Sequence, residues 1–284
     1  MKEFRDRIAV VTGAASGIGK AMAERFAAEG MKVVMADVEA PALEAAAREL
    51  EDKGAAVTPY RADVSKAEDI EGMAKRVFDE FGRVDLLCNH AGVGGGTGLS
   101  WDCTLADWQW VMGVNLWGVI HGVKFFLPRM IEQGNDAHIV NTASLAGLIS
   151  GPGLAIYSVT KHAVVSLSET LFHELRMAGS QVGVSVLCPG WVNTKIMDSA
   201  RNRPETLLNK PEDEKHVPAA EQMEQFVRGL LAQAPPPSEI AEKVFEAVRD
   251  RRFYILPHPQ YTQMIRNRME DILEERDPTY TPLI

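Results

Sequence analysis

The sequence predicts an α/β protein: a doubly wound parallel sheet with helices on both faces, folded as a single domain of 284 residues. Three observations carry that expectation. Short apolar runs alternate with segments of helical periodicity along most of the chain. A glycine-dense turn, Thr12-Gly13-Ala14-Ala15-Ser16-Gly17-Ile18-Gly19, stands between the first apolar run and the first helix. An acid, Asp37, closes the second run. Strands that are apolar throughout suit burial on both faces, as in a parallel sheet between two helical layers.

Taken in order, residues 8–11 form an apolar run ended by Thr12-Gly13, and Ile18, Met22 and Phe26 then recur at helical spacing until Gly30. The run 33–36 ends in Asp37 and completes the start of a βαβ unit. A helix over 41–53, a strand over 56–61, a helix over 67–81 and a strand over 84–88 continue the alternation. Beyond a glycine-dense loop at 92–98, Thr104 to Asp107 reads as a helix start, and the helix is predicted to run on to Met130 with Gly113, Asn115 and Gly118 inside it. A strand at 138–142 leads to the loop bearing Ser144, a helix from Tyr157 reaches Met177, and 182–187 is another strand. From 194 to 237 the pattern loosens: polar clusters at 201–204 and 209–215 flank a helical patch at 223–231, which reads as an insertion in the domain. Ser238 is predicted to cap a helix over 240–248, 253–256 is a last strand, and the tail 257–284 holds a short helix over 261–274.

A hydrophobic share of 46% beside 24% charged residues describes a soluble globular chain. The formal net charge of −9, without a long basic run, argues against a nucleic-acid partner. Cys88, Cys103 and Cys188 have no metal-type spacing and an odd count, so a reducing, cytoplasmic setting is expected rather than a disulfide framework. The N-terminus leads into only a short apolar run, so neither a signal peptide nor a membrane span is expected there. His121, His138, His162 and His173 are scattered and form no HExxH pair, and no metal site is predicted.

Chemistry concentrates at three places. In the glycine turn, Gly13, Ser16, Gly17, Ile18 and Gly19 would let a pyrophosphate approach the helix N-terminus, where free N–H groups favour anions. A Walker A loop is excluded, because Ala14 stands where its first glycine belongs and Ala21 where Ser or Thr would hold a metal ion. Asp37 lies where an acid can bond both ribose hydroxyls of adenosine and repel a 2′-phosphate, which favours NAD over NADP; the alternative is that Asp37 only caps the following turn. Tyr157 and Lys161, four residues apart, share a helix face. An ammonium stabilises a neighbouring phenolate, which makes a phenol with an ordinary pKa of roughly 10 usable near neutral pH. Ser144, at a strand end, could hold a substrate oxygen while the tyrosine moves the proton. By itself the Tyr/Lys pair has a bland alternative, a solvated tyrosine beside a surface lysine. Ser144 lacks a GxSxG elbow, which disfavours a hydrolase.

Together these residues resemble the short-chain dehydrogenase/reductase family, over residues 8–194: the TGxxxGxG turn, Asp37, Asp63-Val64, an NxAG motif at Asn89 to Gly92, Asn115, Ser144, Tyr157, Lys161 and Pro189-Gly190. The resemblance implies a Rossmann-like fold. It also implies that Asp63 and Val64 frame an adenine, and that Asn89, Ala91 and Gly92 line the cofactor. Lys161 would bind the nicotinamide ribose and acidify Tyr157, while Asn115 orients a relay water. Pro189, Gly190, Val192 and Thr194 would lie along the nicotinamide. The activity implied is NAD-dependent interconversion of a secondary alcohol and a ketone, in a homo-oligomer, a dimer or homotetramer. His90 stands where the family usually has asparagine, and the tail beyond Leu256 exceeds the family's usual ending; it would cover either a neighbouring subunit or the substrate mouth.

For the substrate, Leu145, Leu148, Ile149, Trp191, Met197, Leu207, Leu208, Met223 and Phe226 could give an apolar wall under a lid formed by 194–237, which would suit an apolar or cyclic molecule. The alternative is that these side chains only pack the lid on the body. Trp108, Trp110 and Trp117 are expected in the core or at a subunit interface, with Trp101 left open to substrate stacking. The rival from another class is a catalytically silent NAD(H)-sensing protein on the same fold.

Overall fold

The structure, a computed structural model, describes residues 1–95, 98–210 and 218–282. Seven strands, β1 (Ile8–Thr12), β2 (Lys32–Asp37), β3 (Val57–Arg61), β4 (Leu86–Asn89), β5 (Ala137–Thr142), β6 (Val182–Leu187) and β7 (Tyr254–Ile255), form one sheet. Their order is β3-β2-β1-β4-β5-β6-β7, with every pair parallel. β1 and β5 are buried along their whole length, as strands between two helical layers must be.

Successive side chains of a strand enter opposite layers. Ala9 and Val11 join a cluster with Met22, Phe26, Leu43, Leu50 and Val244, which come from helices α1 (Gly17–Ala28), α2 (Ala40–Asp52) and, far along the chain, α8 (Pro237–Asp250). Ile8 and Val10 join a second cluster with Ile70, Met73, Phe126, Met130 and Leu175, supplied by α3 (Ala67–Phe81), α5 (Gly118–Glu132) and α6 (Ala155–Met177). The doubly wound, Rossmann-like sheet expected from the sequence is therefore present as one domain.

Three departures have local causes. The helix expected to run unbroken to Met130 is α4 (Leu105–Met112), then a π-helical turn (Gly113–Trp117), then α5. Glycines flank that turn because the helix presses on the loop after β3: a Cβ at Gly118 would stand 2.7 Å from Val64 Cγ2, and one at Gly113 3.3 Å from Ser65 Cβ. The start at Thr104 is a full capping box with Asp107, Thr104 Oγ1 accepting the Asp107 N–H at 3.1 Å and Asp107 Oδ2 accepting the Thr104 N–H at 2.8 Å. Ser238 does not cap: α8 begins at Pro237, whose missing N–H and fixed φ suit the first helical position. The third departure is β7, two residues long against the four expected.

Residues 105–132 are long and apolar enough to cross a membrane by length and composition, but half of the most apolar 18-residue window is buried inside the fold, and Phe126, Leu127 and Met130 belong to the second cluster. The loosened region contains two short 3-10 turns, Ile196–Asn202 and Glu205–Leu207, and α7 (Pro218–Gln233). The polar cluster at 209–215 and the glycine loop at 92–98 lie partly outside the described residues. The tail carries a 3-10 turn (Pro259–Tyr261) and α9 (Thr262–Leu273).

Candidate active site

In a doubly wound sheet the ligand crevice opens at the carboxyl ends of the strands where the strand order reverses, here between β1 and β4. The glycine turn follows β1, Asp37 ends β2, the Asn89 to Gly92 loop follows β4, Ser144 follows β5 and Pro189-Gly190 follows β6.

The turn closes on itself more tightly than any side chain would allow. Gly13 and Gly17 have φ of +70° and +55°, and a Cβ at Gly19 would stand 2.0 Å from the Gly13 carbonyl oxygen. Thr12 Oγ1 ties this turn to the β4 loop, accepting the N–H of His90 at 2.9 Å and of Ala91 at 3.1 Å. Asp37 accepts the Ala15 N–H at 3.0 Å and the Glu39 N–H at 3.0 Å, so its carboxylate is fixed beside the turn rather than swinging free. Burial raises its pKa, against these backbone hydrogen bonds. An open backbone cradle at a helix N-terminus with a fixed acid beside it fits a dinucleotide.

Ser144, Tyr157 and Lys161 come together beside that cradle. Burial raises the Tyr157 pKa, against the neighbouring Ser144 hydroxyl, which lowers it. Lys161 is 3% exposed. Its Nζ donates to the Thr142 carbonyl at 3.0 Å and lies 5.5 Å from the centre of the Tyr157 ring. Burial pushes its pKa down to about 8. A Cβ at Gly92 would meet both Asn115 Oδ1 at 3.3 Å and Lys161 Nζ at 3.6 Å, so the two groups share one small space.

The short chain dehydrogenase family model matches residues 7–205. This chain belongs to the short-chain dehydrogenase family. Over 278 residues it is 35% identical to a CLA biosynthesis dehydrogenase/reductase of Lactiplantibacillus plantarum, covering 98% of this chain and 97% of that one. It is 37% identical over 271 residues to a 1-deoxy-11-beta-hydroxypentalenate dehydrogenase of Streptomyces exfoliatus, covering 95% and 89%. Among solved structures, a short chain dehydrogenase/reductase from Burkholderia phymatum in complex with NAD superposes with a TM-score of 0.95 at 44% identity, over 100% of both chains. The protein is thus an oxidoreductase of the type that acts on CH-OH groups.

Within this dehydrogenase, several residues singled out by sequence make contacts that the sequence did not announce. Both ends of the Asn115 carboxamide are taken by Val93, the backbone N–H donating to Oδ1 at 2.8 Å and Nδ2 donating to the carbonyl at 2.9 Å. The side chain therefore clamps the β4 loop. Asn89 is 3% exposed; it donates to Asn141 at 2.9 Å and packs where a Cβ at Gly122 would stand 2.0 Å from its Oδ1, so the side chain faces the helix layer rather than the crevice. Asp63 folds onto its own turn, accepting from the Ser65 N–H at 3.0 Å and hydroxyl at 2.7 Å. Val64 packs under Gly118 and Val192 is 4% exposed, whereas the Thr194 methyl lies 3.3 Å from a Cβ built at Gly17, which closes the crevice from the far side.

His90 bonds Thr142 Oγ1 at 3.1 Å, and burial with the Lys161 charge nearby holds its pKa at about 3, so it is a neutral local hydrogen-bonding group. Of the expected apolar wall, Leu145 and Ile149 are buried, Leu207 packs on the cluster around Trp110, and Phe226 and Leu208 are half exposed; the Met223 side chain lies outside the described residues. Trp191 and Met197 are partly exposed. Trp110 is buried, while Trp101 and Trp117 are open to solvent.

Sequence reasoning missed three features. Gly94 N–H donates to Ser199 Oγ at 3.0 Å, joining the Ile196–Asn202 turn to the β4 loop. That turn is pinned at one end by Arg201 and Asn202 on Glu39, at 2.5 and 2.6 Å, and is followed by Arg203 on Asp107 at 2.7 Å, a pair with side chains 9% and 8% exposed. The third is His258, which accepts the Gly190 N–H at 3.0 Å. Asp107 had been legible as a cap; nothing local marks its partner 96 residues away.

Proposed function

We propose that this dehydrogenase uses NAD to interconvert a secondary alcohol and a ketone on an apolar or cyclic small molecule. The observation that carries the reading is the convergence of Ser144, Tyr157 and Lys161 beside the glycine cradle. Gly13, Ser16, Gly17, Ile18 and Gly19 hold the pyrophosphate, Asp37 the adenosine ribose, Asp63 and Val64 the adenine, and Asn89, Ala91 and Gly92 the inner wall, Asn89 through its backbone. Pro189, Gly190, Val192 and Thr194 flank the nicotinamide end, and Lys161 holds its ribose. NAD, when bound, supplies the hydride acceptor or donor.

The protein's own part is proton transfer and positioning. In oxidation Tyr157 Oη takes the alcohol proton while the Ser144 hydroxyl steadies the substrate oxygen; in reduction Tyr157 Oη returns it. Lys161, with three donors of which Thr142 takes one, keeps a positive charge close to the phenol and favours its ionised form. Asn115 keeps the β4 loop in register with these groups. The NAD preference is supported by the fixed Asp37 carboxylate, a like charge to any 2′-phosphate. Apolar character is supported by the partly exposed Trp191, by Met197, Leu208 and Phe226, which are partly exposed within the 194–237 segment that serves as the lid, and by the relative named for a hydroxypentalenate. Leu145 supports the Ser144 loop from below.

The chain is cytoplasmic in this reading and a dimer or homotetramer, with Leu105, Trp117 and Val159 as exposed apolar residues of the paired helices. Calorimetric titration with NAD⁺, NADH, NADP⁺ and NADPH, then an absorbance screen of secondary alcohols and ketones with the tighter pair, tests the proposal. Tight NAD(H) binding with turnover on an apolar alcohol supports it. Tighter NADP(H) binding overturns the Asp37 assignment, and cofactor binding without turnover across a broad panel favours a sensing protein.

A further inference from the structure

The tail beyond β7 supplies a residue that reaches back to the loop after β6. His258 is 7% exposed, and its Nδ1 accepts the Gly190 N–H at 3.0 Å. A ring nitrogen that accepts is unprotonated, so the imidazole is neutral with its proton on Nε2. Burial favours that form by lowering the His258 pKa, against the Trp191 backbone and the Glu239 carboxylate. The Gly190 N–H and the Pro189 carbonyl are two ends of one planar peptide unit. That carbonyl accepts the Leu145 N–H at 2.8 Å and the Ser144 hydroxyl at 3.4 Å. One rigid plane therefore has His258 on its N–H edge and Ser144 on its C=O edge. The tail also touches this plane directly, since a Cβ at Gly190 would stand 2.6 Å from Tyr261 Cε2.

His258 Nε2 is buried and finds no hydrogen-bond partner among the described residues. A buried donor without a partner opposes folding, and an apolar side chain of similar size would avoid that cost. The ring's contribution thus lies on its Nδ1 side.

We propose that His258 is a positioning residue for Ser144, acting through the Pro189–Gly190 peptide. By holding the N–H it fixes the tilt of the plane, and with it the direction from which the carbonyl receives the Ser144 hydroxyl, which lies beside Tyr157. The inference rests on the reading of Ser144 and Tyr157 as the proton-transfer pair. Without the acceptor the peptide turns to find another, the Leu145 bond weakens and the Ser144 hydroxyl loses its bearing.

Three variants of the full chain separate this from simple packing. Asparagine at 258 offers an oxygen near the Nδ1 position, glutamine offers one a bond further out, and leucine offers none. Hydrogen exchange read at single residues should quicken about tenfold at both Gly190 and Leu145 in H258L and H258Q and stay unchanged in H258N. With an alcohol that the wild-type chain turns over, kcat should fall about tenfold in H258L and H258Q at unchanged NAD⁺ affinity, and H258N should recover it. Leu145 exchange that does not move in H258L, or an H258N as impaired as H258L, overturns the proposal while leaving the dehydrogenase reading in place. If H258L does not fold, the contrast between H258N and H258Q decides alone. A wild-type chain that turns over no alcohol overturns the dehydrogenase reading, and this proposal with it.

Discussion

Replacing Lys161 with methionine tests the electrostatics of the site through stability alone, with no substrate needed. Lys161 is 3% exposed, and burial lowers its pKa from an ordinary 10.5 to about 8. Between those values the unfolded chain binds a proton that the folded chain does not, so wild-type stability gains from this group as pH rises. The methionine variant has no such gain, and the groups common to both chains cancel in the difference. Integrated from pH 7 to pH 10, the wild type should improve relative to Lys161→Met by on the order of 2 kcal/mol. The loss of the Thr142 hydrogen bond shifts the two curves apart without altering the slope between them. Urea unfolding at pH 7, 8, 9 and 10, with m-values compared to check that both chains unfold alike, reads the difference directly. A flat difference across that range would mean that the ammonium is as well solvated folded as unfolded, and the argument for a buried charge beside Tyr157 would be lost.

Three further outcomes follow from the same geometry. Tyr157→Phe should remove most turnover and leave NAD affinity within about threefold of wild type by calorimetry, since in the proposed mechanism the hydroxyl serves proton transfer rather than the cradle. Gly19→Ala places a Cβ 2.0 Å from the Gly13 oxygen, so the turn must open and NAD affinity should fall at least about tenfold in the same titration. Arg203→Met leaves the Asp107 carboxylate, 8% exposed, without its cation, which should cost about 3 kcal/mol in urea unfolding at pH 7. Arg203 helps hold the Asp107 pKa below the usual carboxylate range, so the deficit should narrow as pH falls through that range.

Much of this architecture can be read from single residues because its causes are local. β1 and β5 are apolar without alternation since helices cover both faces, and the TGxxxGxG turn is glycine-rich since its own backbone fills the space a Cβ would need. Tyr157 and Lys161 are four apart for the same reason that they meet. What the sequence hides depends on contacts between distant segments. The π-helical turn exists where Gly113 and Gly118 meet Val64 and Ser65, and no helical periodicity announces a neighbour fifty residues upstream. Asn115 falls in that turn, and there its amide finds the Val93 backbone, a contact across 22 residues that no local pattern announces. Ser238 looked like a cap because serine often is one, yet the proline before it already begins the helix.

The same contrast explains the electrostatics around Tyr157 and Lys161. Burial moves Tyr157 and Lys161 toward each other in proton affinity, the phenol upward and the ammonium down to about 8, so neither side chain is tuned by sequence neighbours alone. An isolated phenol in that surrounding would hold its proton more firmly than in water and make a poorer base. The Ser144 hydrogen bond opposes this. The ammonium can oppose it only while it stays charged and close, which a buried lysine does at a cost to stability. Thr142 meets part of that cost by accepting one of its three protons, at the end of the strand that also delivers Ser144. β5 therefore supports both members that keep the tyrosine usable, one through a carbonyl and one through the loop that follows it. Substitutions that shift the end of β5 should thus impair proton transfer before they impair the glycine cradle, which hangs from β1.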